Sequence, residues 1–170
     1  MLLLVGCGSP PDGAEQDGPE QLAGSVLLPV PGVAQRAEVV RHVDGDTLVL
    51  RGQGPGPLPG VPTRVRLLQI DTPEVFGQQE CWGPEASART AHLLPIGAQV
   101  RVQVDVRPED RYGRTLLLLW DQQGRSVQEV LVREGLARVL HVGPNDLALE
   151  ELTGVERSAR QERRGLWGSC

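Results

Sequence analysis

The chain has 170 residues, enough for one domain and a tail, and 39% of them are apolar, which suffices for a globular core. The formal net charge is −5, and all seventeen basic residues are arginine. These values exclude a protein that coats DNA without sequence preference, because such a protein needs a strongly basic surface.

The first 35 residues contain a short apolar run and then a segment rich in Gly, Pro, Ser, Gln and acidic residues. The run ends in LVGC at residues 4–7, which resembles a bacterial lipobox, where a signal peptide is cut and the cysteine is lipidated. It is too short to span a membrane and lacks a positive n-region. We expect residues 1–35 to be a signal-like start and flexible tether, with export to the cell envelope, either secreted or anchored through Cys7. A disordered N-terminus without export is the alternative.

A single domain is predicted from residue 36 to residue 168. Strands are expected at 37–43, 48–50, 63–70, 99–106 and 115–120, with a short extended piece at 137–142. Helices are expected at 83–94, 126–135 and 145–164. Five short strands with a helix after the third indicate a five-stranded Greek-key barrel of the OB type with three helices, an α+β fold that is mainly β.

The stretch from residue 64 to residue 74 is predicted to be a strand that stops at Asp71-Thr72-Pro73-Glu74. The proline has no backbone donor and keeps Thr72 extended, with its carbonyl free of any ladder. The strand thus presents Arg66, two carboxylates and a carbonyl, which suit a phosphate and a hard metal ion. An ordinary polar turn is the alternative.

Strict strand alternation would place Arg66 and Asp71 on opposite faces of the sheet. The two side chains can share a site only if the strand bulges or bends near residues 68–70. The hypothesis of a common site therefore predicts a bend at that point.

A second group of oxygen ligands follows the first strand, in Asp44-Gly45-Asp46-Thr47. Taken alone, this motif is better explained as a solvated hairpin turn. Together with Asp71 and Thr72, it would form an oxygen-rich Ca²⁺ site, although it does not continue as an EF-hand loop. A zinc site is disfavoured, because the three histidines are isolated and the three cysteines widely separated.

Arg66 and Arg114 are the candidate phosphate clamp, because a guanidinium group is planar, permanently charged and bidentate. The alternative for Arg114 is a surface salt bridge with Asp110. Glu74 would act as a general base or orient a water molecule, and its alternative is a solvated loop acid.

Five motifs in this order resemble the thermonuclease, or staphylococcal nuclease-like, family. They are DGDT at 44–47, RLLxIDTPE at 66–74, GPEAS at 83–87, DRYGR at 110–114 and VxExLVRxGLA at 127–137. The resemblance covers residues 36–167. It implies an OB-fold barrel and a Ca²⁺-dependent phosphodiesterase that acts on DNA and RNA, preferentially single-stranded, and leaves 3′-phosphates.

The resemblance also implies a binding site for one Ca²⁺ ion. Asp46 and Asp71 resemble the calcium carboxylates of the family, and Thr72 resembles the carbonyl ligand. Asp44 resembles an acid close to the metal.

For the substrate, the resemblance implies that Arg66 and Arg114 bind the phosphate, that Glu74 activates water and that Tyr112 lies beside the phosphate. Arg111 could replace a lysine that family members carry near the site. Inactive binding modules of the family typically lack several of these residues, so their presence favours an enzyme. A non-catalytic OB module that binds nucleic acid or a protein is the main alternative, and a structural envelope lipoprotein is a third.

Two departures from the family concern the substrate. His141 and Gly143 stand where family members commonly carry aromatic residues that hold the base, so base preference is open. Cys81 and Cys170 remain once Cys7 is set aside for lipid, and in an exported protein such a pair suggests a disulfide, with two free thiols as the alternative. We expect a monomer.

Overall fold

The computed structural model describes residues 28–170. Within this part of the chain the strands are β1 (Gln35–His42), β2 (Thr47–Gln53), β3 (Thr63–Leu67), β4 (Ile70–Asp71), β5 (Gln99–Gln103), β6 (Thr115–Trp120) and β7 (Arg138–Val139). The helices are α1 (Gly83–Leu93), α2 (Val127–Arg133), α3 (Leu149–Gln161) and the short α4 (Leu166–Ser169).

Five strands close a barrel in the order β1-β2-β3-β6-β5. All of its pairings are antiparallel except that of β3 with β6, which is parallel. The two short strands β4 and β7 form a separate antiparallel pair beside it. The predicted α+β fold of the OB type is therefore confirmed.

Alternating apolar residues fill the barrel, as the period of a strand requires. Fully buried pairs such as Leu48 and Leu50 on β2, or Val65 and Leu67 on β3, point inwards. β6 is buried along its whole length. The buried side chain of Gln128 on α2 donates to the carbonyl of Leu117 and accepts from the amide of Leu119, so α2 is fixed to this strand by hydrogen bonds as well as by packing.

The bend predicted near residues 68–70 is present. β3 ends at Leu67, and Gln69 has a φ of 63°, in the left-handed region that non-glycine residues seldom occupy. The Gln69 side chain donates to the carbonyl of Asn145 and accepts from the amide of Ala148, while its own carbonyl accepts from Leu140. These three bonds hold the strained residue in place, and the chain resumes as β4 on a new course.

The predicted end of one strand and the predicted start of one helix are wrong for the same physical reason. In both places a polar side chain forms hydrogen bonds with the backbone of a neighbouring loop. The strand expected to reach residue 106 ends at Gln103, because Asp105 accepts from the amides of Val106 and Leu147. The last helix starts at Leu149 rather than at residue 145, because the Asn145 side chain is bonded to both backbone groups of Arg107 and caps no helix.

The described chain makes contacts before the predicted domain start at residue 36. Leu28 donates its amide to Glu129 on α2 and accepts a bond from the indole nitrogen of Trp120. The predicted lipidation site Cys7 and most of the predicted tether lie outside the described residues. In the described part of the chain, no helix has the length and apolar character needed to cross a membrane.

Candidate active site

Six predicted site residues from distant parts of the sequence surround one polar cavity of about 120 Å³. They come from the β1–β2 turn, from β3, from the chain just after β4 and from the residue before β6. These residues are Asp44, Asp46, Arg66, Thr72, Glu74 and Arg114. The bend at Gln69 makes this meeting possible, since it brings the residues after β4 back towards β3.

Asp46 is the most deeply buried acid of the cavity, with 6% of its surface exposed. Its carboxylate accepts hydrogen bonds from the Thr47 hydroxyl and from the Thr72 amide. Burial, together with the nearby charge of Asp44, raises the pKa of Asp46 to about 6, although Arg66 opposes the shift. The protein therefore holds a negative charge here that its own groups compensate only in part.

The turn that carries Asp46 is fixed from two sides. The Asp44 carboxylate accepts from the amides of Asp46 and Thr47, and the buried Thr90 of α1 donates its hydroxyl to the carbonyl of Gly45. A Cβ atom at Gly45 would lie 2.6 Å from the Thr72 hydroxyl, so only glycine allows the turn to pack this closely. The motif is a hairpin turn, as its local sequence suggests, and it is also part of the cavity.

Arg66 joins the two predicted calcium carboxylates. Its Nη2 lies 2.6 Å from an Asp71 oxygen and 3.2 Å from an Asp46 oxygen, and its Nη1 donates to the Ile70 carbonyl at 2.8 Å. Asp71 does not line the cavity itself and is half-exposed. Both carboxylates nevertheless contact one nitrogen atom, so they lie close to each other.

The predicted donor set for a metal consists of the carboxylates of Asp46 and Asp71 and the Thr72 carbonyl. Among residues 28–170, no group of three or more His, Cys, Asp and Glu side chains is placed to hold an ion. The oxygens present are nevertheless hard ligands, and the under-compensated charge of Asp46 favours a cation beside it. The residues therefore fit a hard cation that completes its coordination with water and substrate oxygens.

Arg114 reaches the cavity while its Nε donates to Asp110 at 2.7 Å. The salt bridge considered as an alternative is thus present, and it coexists with a place at the site. The guanidinium carbons of Arg111 and Arg114 lie 4.8 Å and 5.5 Å from the centre of the Tyr112 ring. Tyr112 and Arg111 line a second cavity of about 430 Å³, which shares Arg66 and Arg114 with the first.

Glu74 is exposed, and its backbone is tied to the following loop. Its carbonyl accepts from the amide of Glu80, and its amide donates to the Glu80 carboxylate. The next residue, Cys81, forms a disulfide with Cys170, with the two Cα atoms 6.2 Å apart. The loop that carries Glu74 is therefore bonded covalently to the C-terminus of the chain.

Sequence reasoning missed several residues that support the site. Thr90 and Glu80 gave no signal, because a buried threonine in a helix and an acid in a loop are ordinary features. Asp110 was visible only as a possible ion-pair partner four residues before Arg114.

The residues expected at the base-holding positions do not line the larger cavity. One wall of this cavity is formed instead by the exposed side chains of Leu140 and Val142, the neighbours of His141 and Gly143. The predicted positions are thus adjacent to the lining residues, and the surface offered there is aliphatic.

Taken together, the small cavity offers two arginines, the buried carboxylate of Asp46 and the exposed carboxylate of Glu74, and Asp71 lies next to it against Arg66. This combination can bind a phosphate diester, neutralise its charge and direct a water molecule at phosphorus.

Comparisons with known proteins agree with this chemistry. The model of a family described as "Staphylococcal nuclease homologue" matches residues 64–169. The SPbeta prophage-derived endonuclease YokF of Bacillus subtilis (strain 168) is 37% identical over 132 residues, which are 75% of this chain and 42% of YokF. The thermonuclease of Staphylococcus hyicus is 31% identical over 79% of this chain and 77% of its own length. That of Staphylococcus intermedius is 33% identical over 76% and 74%.

Proposed function

Because the chain belongs to the staphylococcal nuclease family, we propose that it is a Ca²⁺-dependent nuclease that hydrolyses phosphodiester bonds of DNA and RNA and leaves 3′-phosphates. Relatives that are named endonuclease and thermonuclease support a phosphodiester hydrolase. The observation that carries the proposal is the convergence of Asp46, Arg66, Glu74 and Arg114 on one cavity of about 120 Å³.

Arg66 and Arg114 bind the phosphate in this mechanism. The Arg114 guanidinium can donate two parallel hydrogen bonds to phosphate oxygens, and the charges of both arginines stabilise the negative charge that grows at phosphorus. A Ca²⁺ ion held by Asp46, Asp71 and Thr72 would supply further positive charge to a phosphate oxygen. Arg66, which contacts both carboxylates, holds them close to each other.

Glu74 is the general base in this mechanism. It lines the cavity on an exposed turn, where water has access, and its carboxylate can accept a proton from a water molecule as that water attacks phosphorus. The bond from phosphorus to the 5′ oxygen breaks, this oxygen leaves with the electron pair and takes up a proton from solvent, and the phosphate remains on the 3′ side.

We propose a preference for single strands. The larger cavity beside the arginines has an aliphatic wall and the Tyr112 ring, so it can receive a base that is free of a partner. A base within a duplex would first have to leave its stack, which costs a few kcal/mol.

The test is a cleavage assay on single-stranded DNA and RNA of matched length, with Ca²⁺ and with a chelator. We expect cleavage with Ca²⁺ and a rate at least about 100-fold lower in chelator, since the ion supplies several kcal/mol of charge stabilisation. Products should carry 3′-phosphate ends, shown by a mobility shift after phosphatase treatment. Equal rates in both conditions would contradict the proposal.

One observation favours a second candidate, a module that binds nucleic acid without cleaving it. Arg66 is engaged by Asp46 and Asp71, so part of its donor capacity is not free for a phosphate. This candidate predicts binding of an oligonucleotide with no product after prolonged incubation with Ca²⁺.

We also propose that the protein is exported to the cell envelope. The Cys81–Cys170 disulfide supports this, because disulfides persist mainly in oxidising compartments. Fractionation of cells that express the full chain tests it, and comparison with Cys7→Ser tests the lipid anchor. Recovery of the wild-type chain in the cytosol would contradict export, and unchanged membrane association of the variant would contradict anchoring through Cys7.

A further inference from the structure

The Asp110 carboxylate makes three hydrogen bonds within a single turn. One oxygen accepts from the amides of Tyr112, at 2.9 Å, and Arg114, at 3.0 Å. The other accepts from Nε of Arg114 at 2.7 Å. Burial alone would raise the pKa of Asp110, but the bonds from the backbone and side chain of Arg114 and the backbone of Tyr112 outweigh it and lower the pKa.

These bonds limit what the Arg114 guanidinium can do. Because Nε donates to Asp110, rotation about the terminal bonds of the Arg114 side chain is restricted. The two terminal nitrogens remain available for a ligand. Within residues 28–170, those two nitrogens donate no hydrogen bond, and Arg114 lines both cavities. An arginine fixed in advance loses less conformational entropy when it binds a phosphate.

We propose that Asp110 is a positioning residue, which orients the guanidinium of Arg114 so that its terminal nitrogens bind the phosphodiester. The inference rests on the proposed nuclease function. It adds to that function a group that touches no substrate and acts through Arg114.

The chain contains a second copy of the same turn, which supplies a matched control. Asp121 accepts from the amides of Gln123 and Arg125 through one oxygen and from Nε of Arg125, at 2.7 Å, through the other. Each turn has a glycine with positive φ just before the arginine, 73° at Gly113 and 77° at Gly124. The two turns lie at opposite ends of β6, and only the first adjoins the small cavity.

The second copy shows that the bonding pattern by itself is a local structural device. A functional role for Asp110 therefore depends on the position of Arg114 beside the cavity. The experiment must separate this role from the purely structural role of the turn. Asn is the informative replacement, because its one carbonyl oxygen can still accept from the two amides. Its NH₂ group cannot accept from Nε of Arg114.

The experiment is a double-mutant cycle with Asp110→Asn and Arg114→Ala, read as kcat and KM for a single-stranded DNA oligonucleotide with Ca²⁺. We expect Asp110→Asn to lower kcat/KM about 10- to 100-fold in the wild-type background, as misplaced catalytic groups do. In the Arg114→Ala background, the same change should alter it less than about 2-fold, because the group that Asp110 positions is gone.

Asp121→Asn, with Arg125→Ala as its partner, is the control pair. Both should leave kcat/KM within about 2-fold of the wild type, because this turn lies away from the cavity. The melting temperature of every variant is measured, and rates are taken well below the lowest one. If Asp121→Asn fails to fold, Arg125→Ala alone serves as the control.

Equal loss in both backgrounds, or no loss in either, would overturn the role of Asp110. The same cycle is repeated with the dissociation constant of the oligonucleotide as the readout, measured in chelator, where cleavage is suppressed. If the wild type binds but never cleaves, the nuclease function fails and the binding cycle still decides the role of Asp110. If it neither binds nor cleaves, both are overturned.

Discussion

At the scale of single residues, the site depends on charges that the fold compensates only in part. Asp46 is buried next to Asp44, and its main internal counterion, Arg66, is shared with Asp71. A cation therefore finds a site where the buried negative charge is already in place. Asp110 and Thr90 serve the same purpose by fixing groups that would otherwise move.

The raised pKa of Asp46 predicts how stability changes with pH when no metal is present. The pKa of Asp46 is about 6 in the folded state and 3.8 for an aspartate in water, so the folded state binds the proton more tightly than the unfolded state. The contribution of Asp46 to the free energy of unfolding is fully present below about pH 4. It is lost as the pH rises through 6, by up to about 3 kcal/mol. Urea denaturation in chelator at pH 4.5 and 7.5 measures this contribution against that of other groups.

Asp46→Asn is the variant that isolates the effect. Its stability should change less between these two pH values than that of the wild type, because the titrating group is absent. An identical pH dependence in both proteins would show that Asp46 is not the group responsible.

At the scale of elements, one bend decides whether there is a site at all. Strand alternation alone separates Arg66 from Asp71, and the left-handed conformation of Gln69 brings them within 2.6 Å. The need for such a bend could be inferred from the sequence, because two residues of one candidate site had opposite parity along a strand. The bonds that stabilise it, from Asn145 and Ala148, come from nearly eighty residues away and could not be inferred.

The disulfide is the second device at this scale. It joins residues 89 positions apart and connects the loop after Glu74 to the C-terminus. We expect reduction to lower the free energy of unfolding by about 2–4 kcal/mol, because the cross-link restricts the unfolded chain. Urea denaturation with and without reductant measures the change.

Cys170→Ser is the control for this prediction. The variant should be as unstable without reductant as the reduced wild type, and reductant should not destabilise it further. If reductant destabilises the variant as much as the wild type, the effect does not come from this bond.

The sequence predicts most of the fold but few of the contacts that hold the site residues in place. The order of strands and helices follows from apolar periodicity and from turn residues, which are local signals. Six of the residues that line the small cavity could be proposed because five ordered motifs resemble a known family. The boundaries near residues 103 and 149 could not, because Asp105 and Asn145 are recruited by loops that are distant in sequence.

At the scale of the whole molecule, eight of the seventeen arginines form salt bridges with acidic side chains within residues 28–170. Arginines on the helices and turns pair with acids in the following bridges: Arg89–Glu134, Arg125–Asp121, Arg133–Glu129, Arg160–Glu156 and Arg164–Glu162. With a net charge of −5, the protein has little general attraction for a polyanion. Affinity for a nucleic acid must therefore come mainly from the site.

This distribution of charge predicts a weak salt dependence of substrate binding. Two or three phosphate contacts, from Arg66, Arg114 and Arg111, correspond to a slope of log K against log salt of about −1.4 to −2.1 for a single strand. Fluorescence anisotropy of a labelled oligonucleotide in chelator measures it between about 50 and 200 mM salt. A slope of about −5 or steeper would mean that a wider basic surface takes part.

The most direct test of the account is the rate at which Glu74→Gln cleaves a single-stranded oligonucleotide with saturating Ca²⁺. Glu85→Gln is the control, since it removes an exposed acid outside the cavity, in the first turn of α1. We predict a fall in kcat of about 10²- to 10⁴-fold for Glu74→Gln, as expected for loss of a general base, and a change within about 2-fold for Glu85→Gln. A Glu74→Gln variant that cleaves as fast as the control would contradict the account.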